Sequence, residues 1–207
     1  MADPGLRGRL FAALTGSAGD VSGSSSGDLR AQLLAIGGPS SRTRSGIDLS
    51  KAAQRLGVSR RTAERWVQSA ATGRGQKPSP ASARAIAQRS RQAASTRAGR
   101  RASLAGSPAQ RLASTRGIRL AITGNQGPGH GASYQRFRRT VQDLSPEDSQ
   151  AALQAWVDGG EQGFMAWTTD RWSGSVDENG NYTGYLEGWM FESPPEDIEL
   201  LDPGAEE

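Results

Sequence analysis

The chain has 207 residues, 35% of them hydrophobic, with 27 Gly, 10 Pro and no Cys. That length holds one domain or two small ones, and the lack of thiols excludes disulfide frameworks and thiolate metal sites and fits a reducing cytoplasm. The net charge of +4 hides a division: residues 1–140 hold 24 Lys/Arg against 5 Asp/Glu (+19), and residues 141–207 hold 1 Arg against 16 Asp/Glu (−15). Such a split predicts a front that binds nucleic acid and an acidic back. No apolar run approaches the ~18 residues of a spanning helix, and the run Leu10 to Leu14 is too short for a signal peptide's apolar core.

Residues 1–28 contain GSAGDVSGSSSGD, too polar to bury, which predicts a flexible arm over residues 1–27 in which Leu10, Phe11 and Leu14 make one helical turn. Asp28 then caps a short helix, LRAQLLAIGG, whose Leu29, Leu33, Leu34 and Ile36 supply an apolar face and which ends at Gly37-Gly38. The loop PSSRTRSG offers Arg42 and Arg44 to a phosphate backbone.

Residues 47–68, IDLSKAAQRLGVSRRTAERWVQ, predict two short helices broken at Gly57. Leu49, Ala52, Ala53 and Leu56 recur at helical spacing, Gly57 supplies a left-handed turn residue, and Ser59 caps the second helix. Ala63, Trp66 and Val67 form its apolar stripe, and small Ala52 and Ala53 let two helices cross closely, as a helix-turn-helix requires. The opposite face carries Arg60, Arg61, Glu64, Arg65 and Gln68, side chains that reach phosphates and base edges in a major groove. With Ser59, Thr62, Arg74 and Lys77 beside them, these residues and the loop arginines are the expected DNA contacts, and residues 28–90 are the expected DNA-binding domain.

The Ala/Arg-rich stretch from Pro80 is helical by propensity, with Ala83, Ile86 and Ala87 as a thin stripe over its first half. Residues 91–115 keep the charge and lose the stripe, which predicts a basic linker, helical or disordered until it meets a polyanion. From residue 116 the texture changes. Ile118, Leu120 and Ile122 alternate as in a strand, YQRFRRTVQDL fits strand or helix with Tyr134, Phe137, Val141 and Leu144 as anchors, and Ser145-Pro146-Glu147 opens a helix that ends at Gly159-Gly160. A further short helix with Phe164, Met165, Trp167 and Trp172, a strand through Tyr185, Leu186, Trp189 and Phe191, and an edge strand DIELLD complete a small acidic domain over residues 116–201, before an acidic tail at 202–207. The fold class expected is α+β: an all-α helix-turn-helix domain, the basic linker, and a small α+β domain whose tryptophans form the core.

One histidine, His130, and no cysteine leave no credible zinc site or Ser/His pairing, and Asp143, Glu147 and Asp148 read as helix-start acids rather than metal ligands. No metal site and no enzymatic machinery is expected.

The run LGVSRRTAERWVQ followed by KPSPASARAI resembles the telomere terminal proteins of linear Streptomyces chromosomes and plasmids. Matching positions are Leu56-Gly57, Ser59, Arg61-Thr62, Glu64-Arg65 and Val67, then Pro78, Pro80 and Ala83, with Asp197-Ile198-Glu199-Leu200 near the end. The Gly/Ser arm and the Trp-rich stretch depart from that pattern. The resemblance implies a DNA-end-binding protein that primes end-filling synthesis from a side-chain hydroxyl and stays covalently attached to the 5′ end. Nucleotide transfer is then the work of a partner DNA polymerase and its Mg2+, with no cofactor of the chain's own. A telomere-associated protein is the other implied partner, the location is the cytoplasmic nucleoid, and no membrane is involved. The family's threonine falls near Thr123, with Thr140, Ser133 and Tyr134 as alternatives, and is expected on a mobile loop. The alternative reading is a helix-turn-helix regulator or plasmid replication or partition factor that binds duplex DNA non-covalently, as a homodimer on a palindrome.

Overall fold

Side-chain caps start most of the helices. The computed structural model describes residues 5–128, 135–173 and 188–204, which form eight helices and a four-stranded antiparallel sheet, an α+β fold. The chain divides into two units, Met1–Pro108 and Ala109–Glu207. No helix among the described residues is long and apolar enough to cross a membrane.

The first unit contains α1 (Gly5–Thr15), α2 (Leu29–Gly37), α3 (Leu49–Leu56), α4 (Arg60–Thr72), α5 (Pro80–Ser95) and α6 (Arg97–Leu104). Asp28, Asp48, Ser59, Ser79 and Thr96 each accept a hydrogen bond from a backbone N–H of the first turn they precede, contacts worth about 1 kcal/mol apiece. Leu33, Ile36, Ile47, Leu49, Ala52, Ala53, Ala63, Trp66, Val67 and Ile86 make one core from α2, α3, α4 and α5. Gly37 lets α2 and α3 close up: a Cβ there would collide with the Asp48 carbonyl oxygen.

Two expectations for this unit are corrected. The N-terminal segment is no loose arm, because α1 packs against α5 and α6 and buries Leu10, Phe11 and Leu14. The Gly/Ser stretch is tied down as well: Gln32 Nε2 donates to the Ser24 carbonyl (2.6 Å) and to Asp20 (3.3 Å), and Val21 is buried. Residues 91–115, expected to be helical or disordered, are helical, but the apolar stripe is not lost. The stripe in α5 continues as Ile86, Ala87, Ser90, Ala93 and Ala94, all buried, and the chain goes on into α6 and α7 (Pro108–Thr115).

In the second unit, β1 (Ile118–Pro128) is the central strand. It pairs with β2 (Arg136–Leu144) on one side, and with β4 (Asp197–Leu201) and β3 (Trp189–Phe191) on the other. Side chains alternate across the sheet, so Ile118, Leu120, Ile122 and Gln126 of β1 share a face with Leu144, Ile198, Trp189 and Phe191. On that inner face lies α8 (Pro146–Trp172), capped by Ser145, with Leu153, Trp156, Val157, Phe164 and Trp172 buried. Trp172 stacks edge-on to Trp189 at 5.9 Å and tilted to Phe191 at 5.8 Å, and the Arg138 guanidinium sits 5.8 Å from the Trp189 ring. The aromatic core is therefore present. As expected, two helical segments meet at Gly159-Gly160: α8 is broken at Gly160, whose φ of 63° and ψ of −141° suit only glycine.

The expected anchors in β2 are corrected too. β2 is a strand, but Phe137 (59% exposed) and Val141 (40% exposed) point to the outer face, and only Leu144 is buried. Tyr134, Tyr185 and Leu186 lie outside the described residues, as do residues 205–207 of the acidic tail.

Candidate nucleic-acid interface

Three local devices build the turn between α3 and α4. Gly57 ends α3 in the left-handed region (φ 67°), its N–H bonded to the Ala53 and Gln54 carbonyls. The Ser59 hydroxyl accepts from Thr62 N and lies 2.8 Å from the Thr62 hydroxyl, fixing the start of α4. Ala63, Trp66 and Val67 then face the core, which leaves Arg60, Arg61, Glu64, Arg65 and Gln68 on the exposed side.

The exposed residues are not equivalent. Arg60 is held by Glu64 across one helical turn (2.8 Å), and Arg65 donates to Gln76 (3.3 Å), tying α4 to the segment after it. Arg42, Arg44, Arg61, Arg74 and Lys77 are exposed and make no ion pair among the described residues. Ser59 and Gln68 are exposed with them, and Thr62 is half-buried at its cap. By contrast Lys51 is half-buried on α3. Burial, then the neighbouring Arg55, lowers its ammonium below the usual lysine value against the pull of Asp48.

The loop between α2 and α3 is a built turn. Pro39 and Ile47 bridge its ends, Ser40 N donates to the Gly46 carbonyl (2.9 Å), and the Thr43 hydroxyl donates to the Ile47 carbonyl (2.8 Å). Arg30 reaches across from α2 to the Ser45 carbonyl (2.7 Å). Sequence reasoning passes over Arg30 and Thr43, because their partners lie at a distance that residue type alone does not announce. Together these bonds hold Arg42 and Arg44 out toward solvent.

The candidate acceptor hydroxyls sit elsewhere, in the second unit. Thr123 is in mid-strand on β1, opposite Arg139 of β2 and Asp197 of β4, with its carbonyl accepting from Glu196 N (2.9 Å). It is half-buried on the outer face, not on a loop, because β1 continues through GNQGP to Pro128. Thr140 lies opposite Ile122 on the inner face of β2 and is half-buried. Ser133, Tyr134 and His130 fall outside the described residues. Asp143 and Asp148 are drawn to different arginines, Asp143 to Arg119 (2.8 Å) and Asp148 to Arg171 (3.0 Å).

Set against protein-family profiles, curated proteins and solved structures, the chain matches none.

Proposed function

We propose that the first unit binds duplex DNA, with α4 in the major groove and the Arg42/Arg44 loop on the adjoining backbone. The observation that carries this reading is the sorting of α4 into two faces: Ala63, Trp66 and Val67 buried, Arg60, Arg61, Glu64, Arg65 and Gln68 exposed. Arg61→Ala should weaken binding and, if Arg61 contacts a phosphate, lower the salt slope by about one counterion. The same slope and affinity as wild type in a fluorescence-anisotropy titration would remove α4 from the interface.

On the resemblance of residues 56–86 to telomere terminal proteins, we further propose that the chain binds ends of a linear replicon and presents a hydroxyl to a DNA polymerase. The polymerase's Mg2+ would activate that hydroxyl, and the product would be a protein joined to a 5′ end in the nucleoid, with a telomere-associated protein as partner. Incubating the protein with labelled deoxynucleotide, host extract and telomeric template should label a band at 21.8 kDa on a denaturing gel. Loss of the band in Thr123→Ala would identify the acceptor, and retention would move it to Thr140, Ser133 or Tyr134. No band, with duplex binding intact, favours the non-covalent regulator. One observation supports that second reading: Thr123 is held in the central strand, where a polymerase must reach it across the sheet face rather than draw it in on a loop.

A further inference from the structure

Within the sheet, β2 is paired by β1 on one side and by no described strand on the other. The strand runs nine residues without proline, and its register with β1 holds without a bulge from Leu144 to Arg136. Proteins usually blunt such an edge with short length, proline or a bulge. Here Phe137 and Val141 stand exposed along it, and Val141 lies between charges of opposite sign, Arg139 and Asp143.

We propose that this edge pairs with the same edge of a second copy of the chain, antiparallel about a two-fold axis through Val141. In that register Arg139 of each copy faces the partner's Asp143, two opposite-charge cross-strand pairs related by the axis, and Val141 meets its own counterpart between them. On the inner face Thr140 falls opposite the partner's Gln142, a pair of uncharged polar side chains. Neighbouring registers lose this match. An axis through Arg139 sets arginine against arginine, and an axis through Thr140 sets Asp143 against Phe137. Within each copy Arg139 already holds Glu199 (3.0 Å) and Asp143 already holds Arg119 (2.8 Å). The joint thus extends these pairs into a row of alternating charge, since each guanidinium and carboxylate can serve two partners.

The absence of cysteine makes the test specific to register. Wild-type full-length chain should sediment as a dimer. Val141→Lys, at an exposed position, should sediment at half that mass with an unchanged circular-dichroism spectrum. Val141→Cys should link into a disulfide dimer under mild oxidation, because residues on the axis approach to within a small shift of disulfide geometry. Phe137→Cys, set opposite the partner's Ser145, should stay unlinked. A wild-type monomer at every soluble concentration overturns the proposal, and so does linking through Phe137→Cys as readily as through Val141→Cys. A monomer whose β2 amide signals move on adding single-stranded DNA would assign the edge to nucleic acid instead.

Discussion

Gln126 shows what one buried polar side chain holds together. It is fully buried, donates to the Ile122 carbonyl (2.7 Å) and the Arg138 carbonyl (3.0 Å), and accepts from the Trp189 indole (3.3 Å). One amide thus joins β1, β2 and β3. Gln126→Ala takes this acceptor from the indole N–H and the donors from the two carbonyls, and urea unfolding should show a loss of about 1–3 kcal/mol. Asp143 makes a different kind of statement. Two hydrogen bonds from Arg119 (2.8 and 3.2 Å), helped by its charge, hold the carboxyl below the ordinary range against the opposing effect of burial. A lowered folded-state value contributes stability above the unfolded value, about 3.9, and that stability is lost as pH falls through the folded value. Arg119→Gln should therefore raise the Asp143 titration seen by carbon NMR and flatten the fall in stability below about pH 4. An unmoved titration would show that the pair does not form in solution. The Asp143 carboxylate is solvated, so salt should shrink the effect.

At the level of elements, the motif of α3, turn and α4 is legible in the sequence because every signal in it is local: caps, a turn glycine and a 3.6-residue stripe. Three other elements are not. In α1 the burial of Leu10, Phe11 and Leu14 comes from α5 and α6, far along the chain. Beside Ile86 and Leu104, the buried face of α5 to α7 includes Ser90, Ala93, Ala94, Ala109 and Ala113, small residues that announce a stripe only weakly. In β2 the period-2 signal is inverted: Phe137 and Val141 face outward, while Arg138, Thr140, Gln142 and Leu144 share the inner face of the sheet. Thr123 reads as a loop residue for a related reason, since glycines that predict a loop lie within a strand, and at Gly124 a side chain would press on Pro195. Two predictions belong here. Removing residues 1–16 strips three buried side chains from α5 and α6 and should lower the melting temperature by several degrees in calorimetry. Gly37→Ala should cost about 1–3 kcal/mol, by overpacking α2 against the start of α3, and more than Gly57→Ala, where no atom lies within 4 Å and only the left-handed backbone is penalised.

For the whole molecule, the unit boundary redraws the charge map. Residues 1–108 hold 18 Lys/Arg against 5 Asp/Glu (+13), and residues 109–207 hold 7 Arg against 16 Asp/Glu (−9). Arg116, Arg119, Arg139 and Arg171 pair with acids of their own unit, so Arg116, Arg119 and Arg139, which look in sequence like part of a basic front, serve the acidic sheet domain. A fragment of residues 1–108 should keep the duplex affinity of the full chain or exceed it, because it sheds a net negative partner. Weaker binding by that fragment, measured at equal ionic strength, would place a DNA contact in the second unit. Trp66 adds a practical consequence. It is the one tryptophan in residues 1–108, buried directly behind the exposed face of α4, while Trp156, Trp167, Trp172 and Trp189 all belong to the second unit. A chain labelled with fluorotryptophan would give one fluorine resonance that watches α3 and α4 and four that watch the sheet domain, two independent reporters already written into the sequence.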